Sequence, residues 1–515
     1  MFATLRISVK QRERYLTRRG EVLVEMKREK LSEEFETLFE ASELADELVE
    51  GCDEETLAEF NASLPPLLTH QYPVSTTVDP AVKEAFQNFG SLHPSEQQCL
   101  SPFLIGACAL DDIQLIAEGM SLIAQQKLDA DDPAVSLEEV EGVVEVLCAY
   151  RGETACAPGF AAPTLVRDSC AALANIARLD HSYTKAVGSS GGVDLFLDWL
   201  KHCTEGGDKY DEHTVAPVCE VLSEVCCDED HLKEFLEKDG LAQIVQVLST
   251  DGTSPKRLEN ALQVICVLCQ SENADAHKQV LKAGVIKLLL KVMGGHKTQN
   301  SAVVHVRSGD ALLYLLHNDR KGKHRKEMVA NDIVETLLTC LMPRVTTPES
   351  AEVVGALLTE LIRTAPERDD VADKILDGLS KIEFVFAEFP YKPTTITQYM
   401  AVVASLCVSK RHKEAIVDAE LIENVVMSMM DHPEEVRLQE QACRTLCEVT
   451  RGEDNEEVKD YMADVLEDSF HHGFNLIELI VEAIKNFVDD LDFVEAACSA
   501  SWSVAYKMML WAEAG

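Results

Sequence analysis

Apolar residues recur with the three-and-four spacing of one helix face along most of this chain, and from residue 96 to 515 they do so continuously. Alternating runs of β-branched residues are almost absent, so no sheet is expected. The helical pattern also repeats. A Gly or small polar residue followed by an apolar helix start occurs at Gly192-Val193, Gly240-Leu241, Gly284-Val285, Asp332-Ile333 and Glu420-Leu421, in steps of 48, 44, 48 and 88. The last step is twice 44 and predicts a unit opening near Lys374-Ile375-Leu376, and Gly473-Phe474-Asn475-Leu476-Ile477 predicts one more. More apolar helices precede these signals at 171–176, 221–226, 262–269, 311–316, 357–362, 403–407 and 445–449. A helix apolar on nearly all sides packs between neighbours.

A period near 44 residues with two or three helices per unit is the signature of armadillo and HEAT arrays. The stretch Ala276-His277-Lys278-Gln279-Val280-Leu281-Lys282-Ala283-Gly284-Val285-Ile286 resembles an armadillo repeat, as does Ala171-Ala172-Leu173-Ala174-Asn175-Ile176-Ala177. The resemblance implies an all-α fold: an armadillo/HEAT-like right-handed α-solenoid, here with an N-terminal charged helical extension. The expected organisation is a charged extension over 1–60, a Pro-rich linker over 61–95 and helical repeats over 96–515. Those repeats are clearest at 165–345 and degenerate at 343–395 and 450–515. Pro390, Pro393 and Thr394-Thr395 read as an irregular loop.

Charge sharpens this picture. The 515 residues hold 47 Lys+Arg and 89 Asp+Glu, a net of −42, with an apolar share of 46% that suffices for a core. Such a balance argues against direct binding of nucleic acid and steers basic partners toward the chain. Residues 1–30 carry nine Lys/Arg and four Glu, a net of +5, whereas residues 31–60 carry twelve Asp/Glu and no base. Seventeen scattered Cys without a signal peptide place the chain in the reducing cytoplasm, with the nucleus as a further destination. Met1 to Arg19, Arg-rich with the single acid Glu13, also reads as a transit peptide. No apolar stretch approaches the roughly 18 residues of a membrane span. Oligomeric state is not legible.

Enzyme motifs are nearly absent, so no catalytic residue, metal or cofactor is expected. Gly188-Ser189-Ser190-Gly191-Gly192 fits G-x-S-x-G, but a nucleophile elbow needs a strand leading in, and here a helix does. Cys266 and Cys269 fall on one face of an apolar helix and read as core packing. His181, His231, His277, His324 and His412 track the repeat and read as structural residues at the entrance to each unit; a pH-responsive row is the sharper reading. Arg320, Lys321, Lys323, Arg325 and Lys326 form a basic run, and Lys410, Arg411 and Lys413 another, both read as inter-repeat loops. Such a basic edge suits an acidic peptide, a phosphate-bearing ligand or a nuclear import receptor.

The arm from Arg18 to Lys30 is similar to part of the importin-β-binding segment of importin-α adaptors, with Arg18, Arg19, Lys27, Arg28 and Lys30 matching its basic positions. That resemblance implies an autoinhibitory arm and a transport role. The third-helix segments between 171 and 450 carry no Trp, and Asn175 alone matches the Asn of the family's cargo groove. A nuclear-signal groove is therefore not expected. The leading expectation is a non-enzymatic interaction scaffold that binds a basic or extended segment of a partner protein through Glu220, Glu224, Asp228, Glu229, Asp230, Glu360 and Glu448. A transport adaptor and a chaperone-like client binder are the alternatives.

Overall fold

The computed structural model describes residues 137–154, 162–189, 191–205, 212–250, 254–295, 301–319, 321–342, 346–364, 368–451 and 476–514, with Met120, Ile123 and Ala124. The charged extension over 1–60 and the linker over 61–95 lie outside the described residues. Among the described residues every regular element is a helix, and none is long and apolar enough to cross a membrane.

The first of the helices described are Leu137–Thr154 (α1) and Ala162–Ala177 (α2). Triplets follow. His181–Gly188, Gly192–Glu205 and Glu212–Val225 are α3 to α5; Glu229–Glu237, Gly240–Ser249 and Pro255–Gln270 are α6 to α8. Ala274–Lys282, Val285–Met293 and Ala302–His317 are α9 to α11; Lys323–Ala330, Ile333–Cys340 and Pro348–Thr364 are α12 to α14. Arg368–Leu376, Leu379–Glu388 and Pro393–Leu406 are α15 to α17; Lys410–Asp418, Leu421–Asp431 and Val436–Thr450 are α18 to α20. Leu476–Asn486 (α21) and Leu491–Ala514 (α22) end the array.

The chain divides into two compact units, residues 1–247 and 248–515. In the first, α2 and α5 lie side by side and α4 packs on α5. In the second, the third helices stack in chain order: α8 on α11, then α14, α17, α20 and α22. Their apolar character follows from that position. Leu312, Leu315, Leu358, Leu361, Val403 and Leu406 are wholly buried, each contributing roughly 1.5–3 kcal/mol relative to exposure.

The short first helices start where a side chain stops the preceding turn. Asp180, Asp228 and Asn273 each accept hydrogen bonds from two amides of the helix they cap, worth about 1 kcal/mol apiece. The turn from first to second helix explains the repeat signal. Asp239, Gly284, Asp332 and Glu420 all take left-handed backbone there, with φ of 59°, 67°, 55° and 55°. Glycine enters that region freely and Asp tolerates it, while Glu pays for its Cβ. Glu420→Gly should therefore raise the urea midpoint by an amount equivalent to about 0.5–1 kcal/mol; an unchanged or lower midpoint would show that no strain is stored at this turn.

Three expectations are corrected by the helices. The unit opening near Lys374-Ile375-Leu376 starts later: those residues end α15, and the second helix begins at Leu379. The expected loop at Pro390–Thr395 is shorter, because Pro393 sits in the first turn of α17, where its missing N–H costs nothing, and Thr395 is buried. The basic residues Lys323 to Lys326 and Lys410 to Lys413 are helical rather than in loops. Gly322, at φ 67°, lets the chain turn into α12, and both carboxylate oxygens of Asp319 accept from the Lys323 and Arg325 amides at 2.9 and 3.0 Å. Lys410 to Lys413 likewise form the first turn of α18.

Candidate functional site

The third helices share one register. In each, two residues three apart are buried, as in Leu173/Ile176, Leu222/Val225, Ile265/Leu268, Leu358/Leu361 and Leu446/Val449. The residue just before the second of each pair is Asn175, Glu224, Val267, Glu360 or Glu448, with Tyr314 and Ser405 at the same place in α11 and α17. Thus three of the expected acids, Glu224, Glu360 and Glu448, occupy the position of Asn175 on the faces of their own helices. Asn175 donates through Nδ2 to the Ala124 carbonyl at 3.2 Å.

Each of these acids already holds an arginine. Arg178 bridges Glu220 at 2.7 Å and Glu224 at 2.8 Å, joining the end of α2 to α5. Glu360 pairs with Arg363 and Glu448 with Arg451, both at 2.8 Å. The arginine is the outer partner: Arg363 is 68% exposed against 12% for Glu360. Each of these helix faces therefore carries a Glu–Arg pair, not bare acid. Sequence reasoning passed over these arginines, although a signal existed. Arg178, Arg363 and Arg451 each stand three residues after the shared register position, one helical turn on. Exposed pairs of this kind are worth about 0–1 kcal/mol, so an incoming group can exchange for one partner at little cost.

Asp228, Glu229 and Asp230 lie elsewhere, at the start of α6. Asp228 is buried and accepts from the Asp230 and His231 amides at 3.0 and 3.2 Å, with His181, Lys185 and the His231 ring at 3.6, 3.8 and 3.6 Å. Burial pushes this carboxyl up, but the two amides and the His231 and Lys185 charges outweigh it and hold it below the usual range. Its role is to fasten α6 to α3. Glu229 and Asp230 are exposed and share Lys233 at 3.5 and 3.4 Å.

The basic residues divide in the same way. Arg325 donates to the Thr364 carbonyl at the end of α14, and Lys413 to the Arg451 carbonyl just past α20. They are equivalent within their repeats, each tying a first helix to the C-terminus of its own third helix. Burial pushes the Lys413 ammonium below its ordinary value. Lys410 pairs with Glu414 and Arg411 with Asp373, both at 3.5 Å. Lys321, Lys323 and Lys326 stay exposed. Arg320 and the arm residues Arg18, Arg19, Lys27, Arg28 and Lys30 lie outside the described residues.

The histidines are joints. His277 bonds the Cys269 carbonyl at 3.2 Å and His324 the Leu315 carbonyl at 3.0 Å, each holding a first helix to the third helix before it. Their rings stand 6.0 Å apart, closer than the roughly 10 Å between packed helix axes would suggest. His412 lies between Ser409 Oγ at 2.6 Å and Asp373 Oδ1 at 3.0 Å. Among the described residues no group of His, Cys, Asp and Glu could hold a metal ion. Burial pushes the Cys266 thiol up to about 12 and Cys269 also upward, and Cys266 donates to the Arg307 carbonyl at 3.0 Å. Thiols so protonated are packing residues. Around the G-x-S-x-G match, helix α3 leads in and Gly191 turns at φ 89° into α4, while Ser190 lies outside the described residues.

No family model and no curated protein matches the sequence. Solved structures do. An engineered protein matches over 92% of this chain and 99% of its own, with TM-score 0.59 and 16% identity. A chain described in connection with a phosphorylation switch controlling the interaction between cadherin and β-catenin matches over 80% of this chain and 69% of its own, with TM-score 0.52 and 13% identity. Computationally designed armadillo repeat proteins for modular peptide recognition cover 50% of this chain and 98% of their own, with TM-score 0.39 and 14% identity. The fold is an armadillo-like all-α solenoid. The triplets, the stacked third helices and the shared register are that fold expressed in this sequence.

Proposed function

We propose that the chain is a non-enzymatic protein-interaction scaffold whose third-helix faces hold a basic, extended segment of a partner protein. The observation that carries the reading is the shared register, which repeats Glu224, Glu360 and Glu448 at the place of Asn175 on solvent-facing helix surfaces. A peptide laid across the third helices of either unit meets one such position per repeat. Its Lys or Arg side chains exchange for Arg178, Arg363 or Arg451 on the acid beneath, and its charge is drawn in by the excess of acid. The described cysteines are free thiols, which supports a reducing, cytoplasmic setting.

Fluorescence anisotropy with a labelled alternating Lys-Arg octapeptide tests this on the full chain. Binding should weaken about tenfold in the triple variant Glu224→Gln, Glu360→Gln, Glu448→Gln, and should fall as salt rises. Equal affinity for a neutral octapeptide, or a triple variant that binds as the parent does, would sink the reading.

A further inference from the structure

A strong local reversal of charge lies on one repeat and the first helix of the next. Residues 276–331 hold eleven Lys/Arg and three acids, Asp310, Asp319 and Glu327, so 11 − 3 gives +8 inside a chain of −42. The structure gathers much of this charge on first and second helices of the second unit. Lys282 on α9, Lys287 and Lys291 on α10, and Lys321, Lys323 and Lys326 at the start of α12 are all exposed. Helix α10 packs on both α9 and α12, so the six ammonium groups lie on one continuous set of helices.

Other lysines are neutralised where they stand. Lys238, Lys278, Lys374 and Lys410 each lie within 4 Å of a carboxylate. None of the six has such a partner among the described residues. The one acid at this helix start, Asp319, is nearly buried and spends both oxygens on the α12 amides. Neighbouring ammonium groups repel, and an outside counter-charge relieves that repulsion.

The chain carries a matching counter-charge. Residues 31–60 hold twelve acids and no base, and Glu33, Glu36, Glu40, Glu43, Glu47 and Glu50 recur at three-and-four spacing, the spacing of one helix edge. A free polyanion approaching this surface meets the repulsion of the whole acidic chain. A segment of the same chain is tethered, with an effective concentration in the range of about millimolar for linked modules.

We propose that residues 31–60 dock on the lysine surface formed by α9, α10 and the start of α12. Such docking makes the surface a point of control, because salt or a stronger polyanion displaces the segment.

Zero-length carbodiimide cross-linking of the full chain, read by mass spectrometry, tests this. At about 50 mM salt, residues 31–60 should link preferentially to the six lysines within single chains, and about 500 mM salt should abolish the links. In the variant Lys321→Gln, Lys323→Gln, Lys326→Gln, links to the untouched Lys282, Lys287 and Lys291 should fall about fivefold. These three side chains are exposed, and an unchanged circular dichroism spectrum and melting temperature confirm that the variant folds. Links to Lys233 and Lys410 as frequent as those to the six would overturn the proposal. So would links found only in dimers, which would put the acidic segment of a second copy on this surface.

Discussion

Replacing Gly309 by valine should destabilise the second unit by about 3 kcal/mol, the upper part of the range for overpacking a closed core. Gly309 lies in the middle of α11, where glycine is a poor helix former and alanine would add about 1 kcal/mol of propensity. Packing overrules propensity here. A Cβ at Gly309 would stand 2.1 Å from Val353 Cγ1 on α14, and 3.5 Å from Leu357 Cδ1. Val353 is β-branched and has few alternative rotamers in a helix, so the relief must come from the two helices moving apart. Even Gly309→Ala should lower the urea midpoint, its gain in propensity being smaller than the cost of separation. Gly355 on α14 supplies the contrast. Its Cβ would meet Gln398 Cγ at 2.8 Å and the buried Tyr399 ring at 3.1 Å, both less severe than the 2.1 Å contact at Gly309, so Gly355→Ala should be milder than Gly309→Ala. Urea unfolding of the full chain followed by circular dichroism gives both midpoints. A Gly309→Val midpoint equal to the parent's would mean that the third-helix stack tolerates a gap at α11 and α14.

Close packing of the third helices also explains what is legible in the sequence. The periodicity showed the third helices because burial on nearly all sides leaves long apolar runs such as 262–269 and 311–316. The turn signals at Gly284, Asp332 and Glu420 were visible because a left-handed residue precedes each second helix. The unit around Leu379 was misplaced for the same reason: Gly378, at φ −115°, does not take the left-handed conformation, so the usual marker is displaced. The basic runs at 320–326 and 410–413 look like loops by composition, and only the Asp319 carboxylate and the Ser409 turn reveal Lys323 and Lys410 as helix starts. At the candidate site, the acids were readable one by one. Their neutralisation was not, because Arg178 reaches Glu220 and Glu224 across 42 and 46 residues of chain. The third-helix register and its trailing arginines become a pattern only when the helices are laid side by side.

Acidification should unfold the second unit in a window that begins near pH 6.5, well above the range in which carboxylates titrate. His305 on α11 is buried, and burial pushes its imidazole below the ordinary value, with the Met293 carbonyl offsetting only part of this. His324 on α12 is buried too; burial again lowers it, against opposing contributions from Asp319 and the Leu315 carbonyl. Both rings are therefore neutral in the folded chain at a pH where the unfolded chain has begun to bind protons. Since the unfolded state binds more protons, stability rises with pH and is lost as pH falls through the unfolded value of about 6.5. The loss continues until the folded imidazoles themselves protonate, at a slope of at most about 1.4 kcal/mol per pH unit for each ring. Asp228, in the first unit, acts in a separate window. Its folded value is depressed, so its contribution is complete above about pH 4 and disappears only below that. Urea midpoints taken at half-unit steps from pH 7.5 to about 4.5 should therefore slope downward from the histidine range onward. His305→Phe keeps an aromatic ring in the same space and removes one titrating group, so its slope between pH 6.5 and 5 should be about half the parent's. A variant with the parent's full slope would show that His305 contributes nothing to the acid response, and would move the whole effect to His324 and its contact with His277.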